Sequence, residues 1–289
     1  MTDGDRRPVV VGIDETTESQ AALGWAVEKA RSAGVPLRVV TVDPAAPPPL
    51  ELADSDAVAS SAALRQRHDA AVEYAQGQLG RENVSARLTT GRPAKVLVAE
   101  ARQAELLVVG SRVRSATSAI VMGSVGAATV AHAACPVVVV RISTEIAPAD
   151  RIVVGIDGSH QSDAAVRFAF EQATERGVPV AVVHCWQPYG YVDPIRWEHG
   201  VLEAEQQRRQ DWIRQNIAPL AKEFPDVEHT AELVEGHTST ELTERSRRAS
   251  LVVVGSRGHG GFAGLLLGSV SQNLLHHARC TVAVVKARP

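Results

Sequence analysis

The chain spells out one pattern twice. PVVVGIDETTESQAALGWA from Pro8 returns as RIVVGIDGSHQSDAAVRFA from Arg151, and Gly12 to Gly155 and Asp14 to Asp157 are both steps of 143 residues. AGVP at 33–36 returns as RGVP at 176–179 in the same register. Further on, ELLVVGSR ending at Arg112 returns as SLVVVGSR ending at Arg257, now 145 residues away, and Gly123-Ser124 and Cys135 keep that step to Gly268-Ser269 and Cys280. So steady a register means a tandem duplication in which each copy is one folding unit. A chain of 289 residues is long enough for two domains with a core each. The joint falls in the polar, Pro-containing stretch ISTEIAPAD, which gives domains 1–143 and 144–289.

Within each copy, short apolar runs alternate with helical periodicity. In the first, 9–13 is a continuous apolar strand, the mark of a sheet covered on both faces. A helix over 19–32, a strand over 37–42, a long helix over 55–80 and a strand over 84–88 follow. A helix over 94–103 then opens next to Pro93, well suited to a helix start, and a strand over 106–110, a helix from Ser124 and a strand over 137–141 complete the copy. The fold class is α/β: two tandem, doubly wound, parallel five-stranded sheets of Rossmann-type topology. Ligands of such sheets bind beyond the carboxyl ends of the strands, at the switch point. Those ends deliver Asp14, Val42 and Gly110 in one copy, and Asp157, Cys185 and Gly255 in the other.

Chemistry concentrates in LVVVGSRGHGGFAGLLLGSVSQNLLHHARCTVAVVK, 251–286, which reads as strand, glycine-rich loop, helix, strand. Its glycines permit positive φ and let backbone N–H groups approach a ligand. Loop and helix start together make an anion site suited to phosphate. A dinucleotide fingerprint would need G-x-G-x-x-G directly after the first strand, but those turns read GIDETTES and GIDGSHQS. No Gly-Lys-Ser/Thr occurs, so a Walker loop is absent too.

The spacing Gly255-x2-Gly258-x9-Gly268-Ser269 resembles the ATP-binding signature of the universal stress protein family, and the resemblance extends over nearly the whole chain as a tandem, two-domain member of the type common in actinobacteria. Four lysines among thirty basic residues, with abundant Ala and Val, agree with a GC-rich source. The resemblance implies binding of ATP, with Mg2+ as its companion ion. It sets Asp14 and Asp157, preceded by Gly12 and Gly155, beside the nucleotide; an N-cap role is their alternative. Val42 and Cys185 fall where the family lines the adenine pocket, and Gly91 and Gly236 where a loop closes over the base. Phosphates are expected on Gly255, Ser256, Arg257, Gly258, His259, Gly260 and Gly261, and on Gly268, Ser269 and Val270. The first-copy equivalents are Gly110, Ser111, Arg112, Gly123 and Ser124. That copy departs from the signature, with Val113 for Gly258 and Glu15 for Gly158. A β-branched residue at positive φ is strained, so the second site is expected to be the tighter.

Composition bounds the rest. With 45% hydrophobic and 22% charged residues the chain has a globular composition, and a net charge of −3 gives no footprint for nucleic acid. The N-terminus MTDGDRRP has no apolar core behind it. The uncharged stretch 115–140 reads as buried helix plus strand rather than a membrane span, because it contains Gly123, Ser124, Gly126, Thr129, His132 and Pro136. A cytoplasmic protein without membrane contact follows as the expectation. Cys135, Cys185 and Cys280 are odd in number and sit among apolar neighbours, as reduced thiols do, and no metal-ligand spacing occurs. No nucleophile–base pair stands out, so the expected role is a stress-response regulator or nucleotide-dependent sensor and not a fast enzyme, slow ATP hydrolysis aside. An ATP-independent dimerisation or partner-binding module and an adenylating enzyme are the alternatives. A dimeric homo-oligomer and a protein partner of unknown identity complete the expectation. Pairing through CPVVVVR and CTVAVVK is its first suggested contact, and the aromatic stretch with Trp186, Tyr189, Tyr191, Trp197 and Trp212 its second.

Overall fold

The computed structural model describes residues 6–44, 55–111, 123–142, 151–187, 201–259 and 266–287, the side chains of 55–60 and 201 excepted. The chain divides into two compact units, 1–142 and 143–289. The first runs β1 (Val9–Ile13), α1 (Thr17–Ala33), β2 (Leu37–Asp43), α2 (Ser55–Leu79), β3 (Val84–Thr90), α3 (Pro93–Glu100), β4 (Leu106–Gly110), α4 (Ser124–His132) and β5 (Val137–Val140). The second runs β6 (Ile152–Gly155), α5 (His160–Arg176), β7 (Val180–Trp186), α6 (Val201–Glu223), β8 (His229–Glu235), α7 (Thr238–Arg245), β9 (Leu251–Gly255), α8 (Ser269–His277) and β10 (Thr281–Val285).

Each unit is one parallel sheet, ordered β3-β2-β1-β4-β5 in the first and β8-β7-β6-β9-β10 in the second. The order reverses between β1 and β4, and between β6 and β9. Helices cover both faces, so the central strands run through consecutive Val, Leu and Ile instead of alternating with polar residues: Val9, Val10, Val11, Leu107 and Val108 are wholly buried, as are Val252 and Val253. The outer strands β3 and β8 are the polar ones, with Arg87 on the former and Glu232 on the latter.

The duplication extends to the helix ends. Thr16 caps α1 by accepting from the Ser19 N–H, and Ser159 caps α5 by accepting from the Ser162 N–H. Both helices stop at a left-handed glycine, Gly34 (φ 62°) and Gly177 (φ 64°). The caps are Thr16 and Ser159, so Asp14 and Asp157 are not N-caps. Each instead accepts from the N–H and hydroxyl of the cap residue two positions on, which orients the cap.

Cys135 and Cys280 are buried and Cys185 half-buried, all free thiols. No helix among the described residues is long and apolar enough to cross a membrane.

Candidate functional site

The site grows from the glycines that end strands. A Cβ on Gly12 would stand 3.2 Å from Leu97, and one on Gly155 would stand 3.0 Å from Leu242, so both let a helix pack tightly on the sheet. At Gly110 a Cβ would lie 2.6 Å from the backbone of Glu18, and at Gly255 it would lie 2.9 Å from Gln161. These two glycines bring the first turn of α1 or α5 directly against the end of β4 or β9. The start of each unit's first helix thereby adjoins the glycine loop at the switch point.

In the second unit this brings Asp157 and the loop into contact. Asp157 Oδ2 accepts from the His259 N–H at 3.0 Å, while Oδ1 accepts from the Ser159 N–H (3.0 Å) and hydroxyl (2.7 Å). Gly258 is expected from sequence to serve through positive φ, and that reason is corrected here. Among the described residues of this unit, the glycines with positive φ are Gly158, Gly177 and Gly236. At Gly258 a Cβ would stand 2.1 Å from Asp157 Oδ2, so close approach is what demands glycine. The φ-strain argument against a residue such as Val113 therefore loses its basis, and Val113 itself lies outside the described residues.

Burial alone would raise the Asp157 pKa, but the hydrogen bonds from Ser159, His259 and Ser162 outweigh it and hold the carboxyl below its ordinary value. A depressed folded pKa stabilises the native state above the unfolded-state value, near pH 4, and that stabilisation is lost as pH falls through the folded value. The stability advantage of the native chain over Asp157→Asn is expected to be constant above about pH 5 and to shrink below about pH 4. Chemical unfolding at a series of pH values measures it, and a gap that widens on acidification would reverse the assignment.

The loop is closed at its far end by the Gly268 N–H, which donates to the Ser256 carbonyl at 2.8 Å. The Ser271 hydroxyl reaches the same carbonyl at 3.2 Å. Gly268 is the N-cap of α8, no side chain caps that end, and Ser269 and Val270 form its first turn. Gly123 and Ser124 open α4 identically. An uncapped first turn keeps its N–H groups for an anion.

Beside Asp157 opens a cleft of about 540 Å³, lined by Asp157, Gly158, His184, Glu205, Arg208, Arg209, Trp212 and His259. Gly158 has φ 86°, and a Cβ there would stand 2.9 Å from the Trp212 ring, so the turn after β6 rests on α6. His184 and Trp212 rings lie 5.1 Å apart, and the Arg209 guanidinium sits 5.3 Å over the Trp186 ring. Sequence reasoning names Asp157 and His259 but misses His184 and the α6 residues. Their signal was the spacing 205, 208/209, 212 in EAEQQRRQDW, which sets four side chains on one helix face.

Cys185 does not line this cleft. Strand alternation turns it to the other face of β7, where burial raises its pKa and the interaction with Thr238 opposes that rise. Val42 is buried at the matching point of β2. Gly91 and Gly236 take φ 136° and 147°, and their N–H groups donate to Asp43 and Trp186 carbonyls, which ties the third-strand loops to the second strands. Arg257 is exposed, whereas Ser256 and Ser111 are buried. Arg112, Gly260 and Gly261 lie outside the described residues, as do Tyr189, Tyr191 and Trp197 of the aromatic stretch. Its other two members, Trp186 and Trp212, pack within the unit.

The first unit differs at this place. Asp14 engages Thr16 as Asp157 engages Ser159. Where His184 meets Trp212, however, Thr41 meets His68: Nδ1 of the buried His68 lies 2.9 Å from the Thr41 hydroxyl. The Ser61 hydroxyl donates to Asp43 at 2.7 Å. Among the described residues no group of His, Cys, Asp and Glu side chains could hold a metal ion.

Comparison with known proteins agrees with this arrangement. The model of the "Universal stress protein family" matches residues 5–141 and again 148–286. A universal stress protein of Mycobacterium tuberculosis (strain ATCC 25618 / H37Rv) is 34% identical over 287 residues, 96% of each chain. Two solved structures share the fold over both units. One is a universal stress protein from Archaeoglobus fulgidus (17% identity, TM-score 0.66, covering 97% of this chain and 96% of that one). The other is a putative universal stress protein from Pseudomonas aeruginosa (16%, TM-score 0.68, covering 97% and 92%). With two complete matches to one family model and a full-length relative, the chain belongs to the universal stress protein family.

Proposed function

We propose that this protein binds ATP at the switch point of its second unit and acts as a nucleotide-dependent stress-response regulator, without fast catalysis. The observation that carries the reading is the contact of Asp157 with the His259 N–H across the switch point, at a glycine that tolerates no Cβ. Three features support it. Asp157 is an ionised acceptor for ribose hydroxyls; the tied loop and the uncapped α8 offer N–H groups to phosphate; and an open cleft adjoins both. Mg2+ would accompany the phosphates and neutralise their charge.

The two units are proposed to bind unequally, the second more tightly. In the first, His68 is buried against Thr41 and Leu64 is buried on the same helix, at the place where the second unit opens its cleft. The nucleotide released from purified protein on denaturation tests the ligand. ATP is expected, NAD or FAD would overturn the reading, and an empty protein indifferent to added ATP would favour a partner-binding module. Titration calorimetry tests the inequality: Gly268→Trp should remove the tight class of site, and Gly123→Trp should spare it. Loss of tight binding through Gly123 alone would invert the ranking.

A further inference from the structure

We propose that the Ser271 hydroxyl is a latch that holds the phosphate loop of the second unit in its binding form before a ligand arrives, and that the first unit, built without it, has the weaker loop site for that reason. The inference rests on the nucleotide reading above and adds a positioning residue that the glycine signature does not include. Ser271 lies in the first turn of α8 and is 1% exposed. Its Oγ stands 2.9 Å from the Gly268 carbonyl and 3.2 Å from the Ser256 carbonyl. Carbonyls only accept, so the hydroxyl donates its one proton between the two. Ser256 and Gly268 are the two ends of the glycine loop, and the Gly268 N–H already donates to the Ser256 carbonyl at 2.8 Å. The hydroxyl turns that single closure into a double one.

What the latch holds is itself fixed. The Ser256 N–H donates to the Val285 carbonyl of β10 at 2.7 Å, which anchors the near end of the loop on the sheet. The far end rides on α8, and the Thr243 hydroxyl donates to Asn273 Oδ1 at 3.3 Å, joining α8 to α7. Helix α7 in turn is seated by the fully buried Leu242 against Gly155 of β6. The N–H groups of the loop and of the uncapped α8 thus keep one arrangement, and a site already in its binding form loses no affinity to competing conformations. At the repeat step of 145 residues, Ser271, Thr243 and Asn273 become Gly126, Val98 and Ala128. None of the three has a side-chain donor or acceptor, so neither tie can form in the first unit.

Amide hydrogen exchange and calorimetric titration of the full chain with ATP and with adenosine, for wild type, Ser271→Ala and Ser271→Cys, test this. In Ser271→Ala both carbonyls keep their N–H donors, from Gly268 and Gln272, so the fold is retained. The variant is expected to exchange the Gly268 N–H about 3- to 10-fold faster, with the Ala278 N–H at the other end of α8 unchanged. ATP affinity should fall by about the same factor and adenosine affinity stay within about 2-fold, because adenosine carries no phosphate. Ser271→Cys fills the same space with a weaker donor and should lose ATP affinity as well. Equal losses for ATP and adenosine, an unchanged Gly268 N–H, or a Cys variant indistinguishable from wild type overturn the latch while the nucleotide reading stands. A wild type that binds neither ligand overturns that reading instead, and the Gly268 exchange rate then decides the latch alone.

Discussion

Replacing Gly258 with alanine is expected to weaken nucleotide binding by the second unit about 10- to 100-fold. The added Cβ would stand 2.1 Å from Asp157 Oδ2, so the carboxylate must leave or the loop must shift. Either movement breaks the 3.0 Å bond to the His259 N–H and displaces the carboxylate proposed to accept from the ribose. A hydrogen bond to a charged group is worth about 1.5–3 kcal/mol, which is the stated range in affinity. Gly77 supplies the control. It lies inside α2, a Cβ there would meet nothing within 4 Å, and Gly77→Ala should raise stability by up to about 1 kcal/mol with binding intact. Calorimetric titration and denaturant unfolding of both variants measure the pair. Full affinity in Gly258→Ala would remove Asp157 and its loop from the site.

Removing Glu100 is expected to give a large loss of stability for a charged side chain outside the site. Glu100, at the end of α3, is 5% exposed and receives Arg38 NH1 at 2.9 Å and Arg87 NH1 on its other oxygen. Breaking a buried pair costs about 3–5 kcal/mol, and the partial exposure of both arginines brings Glu100→Ala to about 2 kcal/mol. For a unit of this size that is about 4–8 °C in Tm, read by calorimetry. The second unit carries the charges exchanged. At the position of Glu100 stands Arg245, and at that of Arg87 stands Glu232, 3.5 Å apart, with Glu241 at 2.7 Å from Arg245. The exchange yields a sharper test. Glu100→Arg should be the more harmful single change, because it faces Arg38 and Arg87 at once, and adding Arg87→Glu should recover part of the loss. No recovery in the double variant would show that packing around the Glu100 stem, rather than its charge, sets the effect.

The two units also show what a linear pattern can and cannot reveal. Their sheet was legible because continuous Val and Leu runs at 9–13, 106–110, 251–255 and 281–285 have one economical solution, a parallel strand covered on both faces. The caps were not, since the residues offered for that role were Asp14 and Asp157, and the helices start two residues later on Thr16 and Ser159. Locating Asp14, Asp157 and the glycine loops at strand ends needed only the strand order that alternation implies. The glycine-loop signature, complete in the second copy and partial in the first, led to the family before any coordinate did.

What remained hidden depends on which elements meet through space. Gly258 was read as a residue for unusual φ, because glycine in a sequence does not reveal whether its backbone or its missing Cβ matters. Contact with Asp157, about a hundred positions earlier in the chain, decided for the missing Cβ. Cys185 and His184 are neighbours in sequence, yet strand alternation sends them to opposite faces, and only His184 faces the cleft. Trp186 and Trp212 belonged to a stretch suggested as a partner contact, and packing of β7 on α6 gives them Arg209 and His184 as neighbours instead. The amino-acid sequence alone determined the duplication, the parallel sheets and the switch points where the carboxyl ends of the strands meet, because these follow from local periodicity and from the few topologies that cover it. The tertiary structure alone decided which side chains face those points, because facing is settled by pairs of residues that the chain holds far apart.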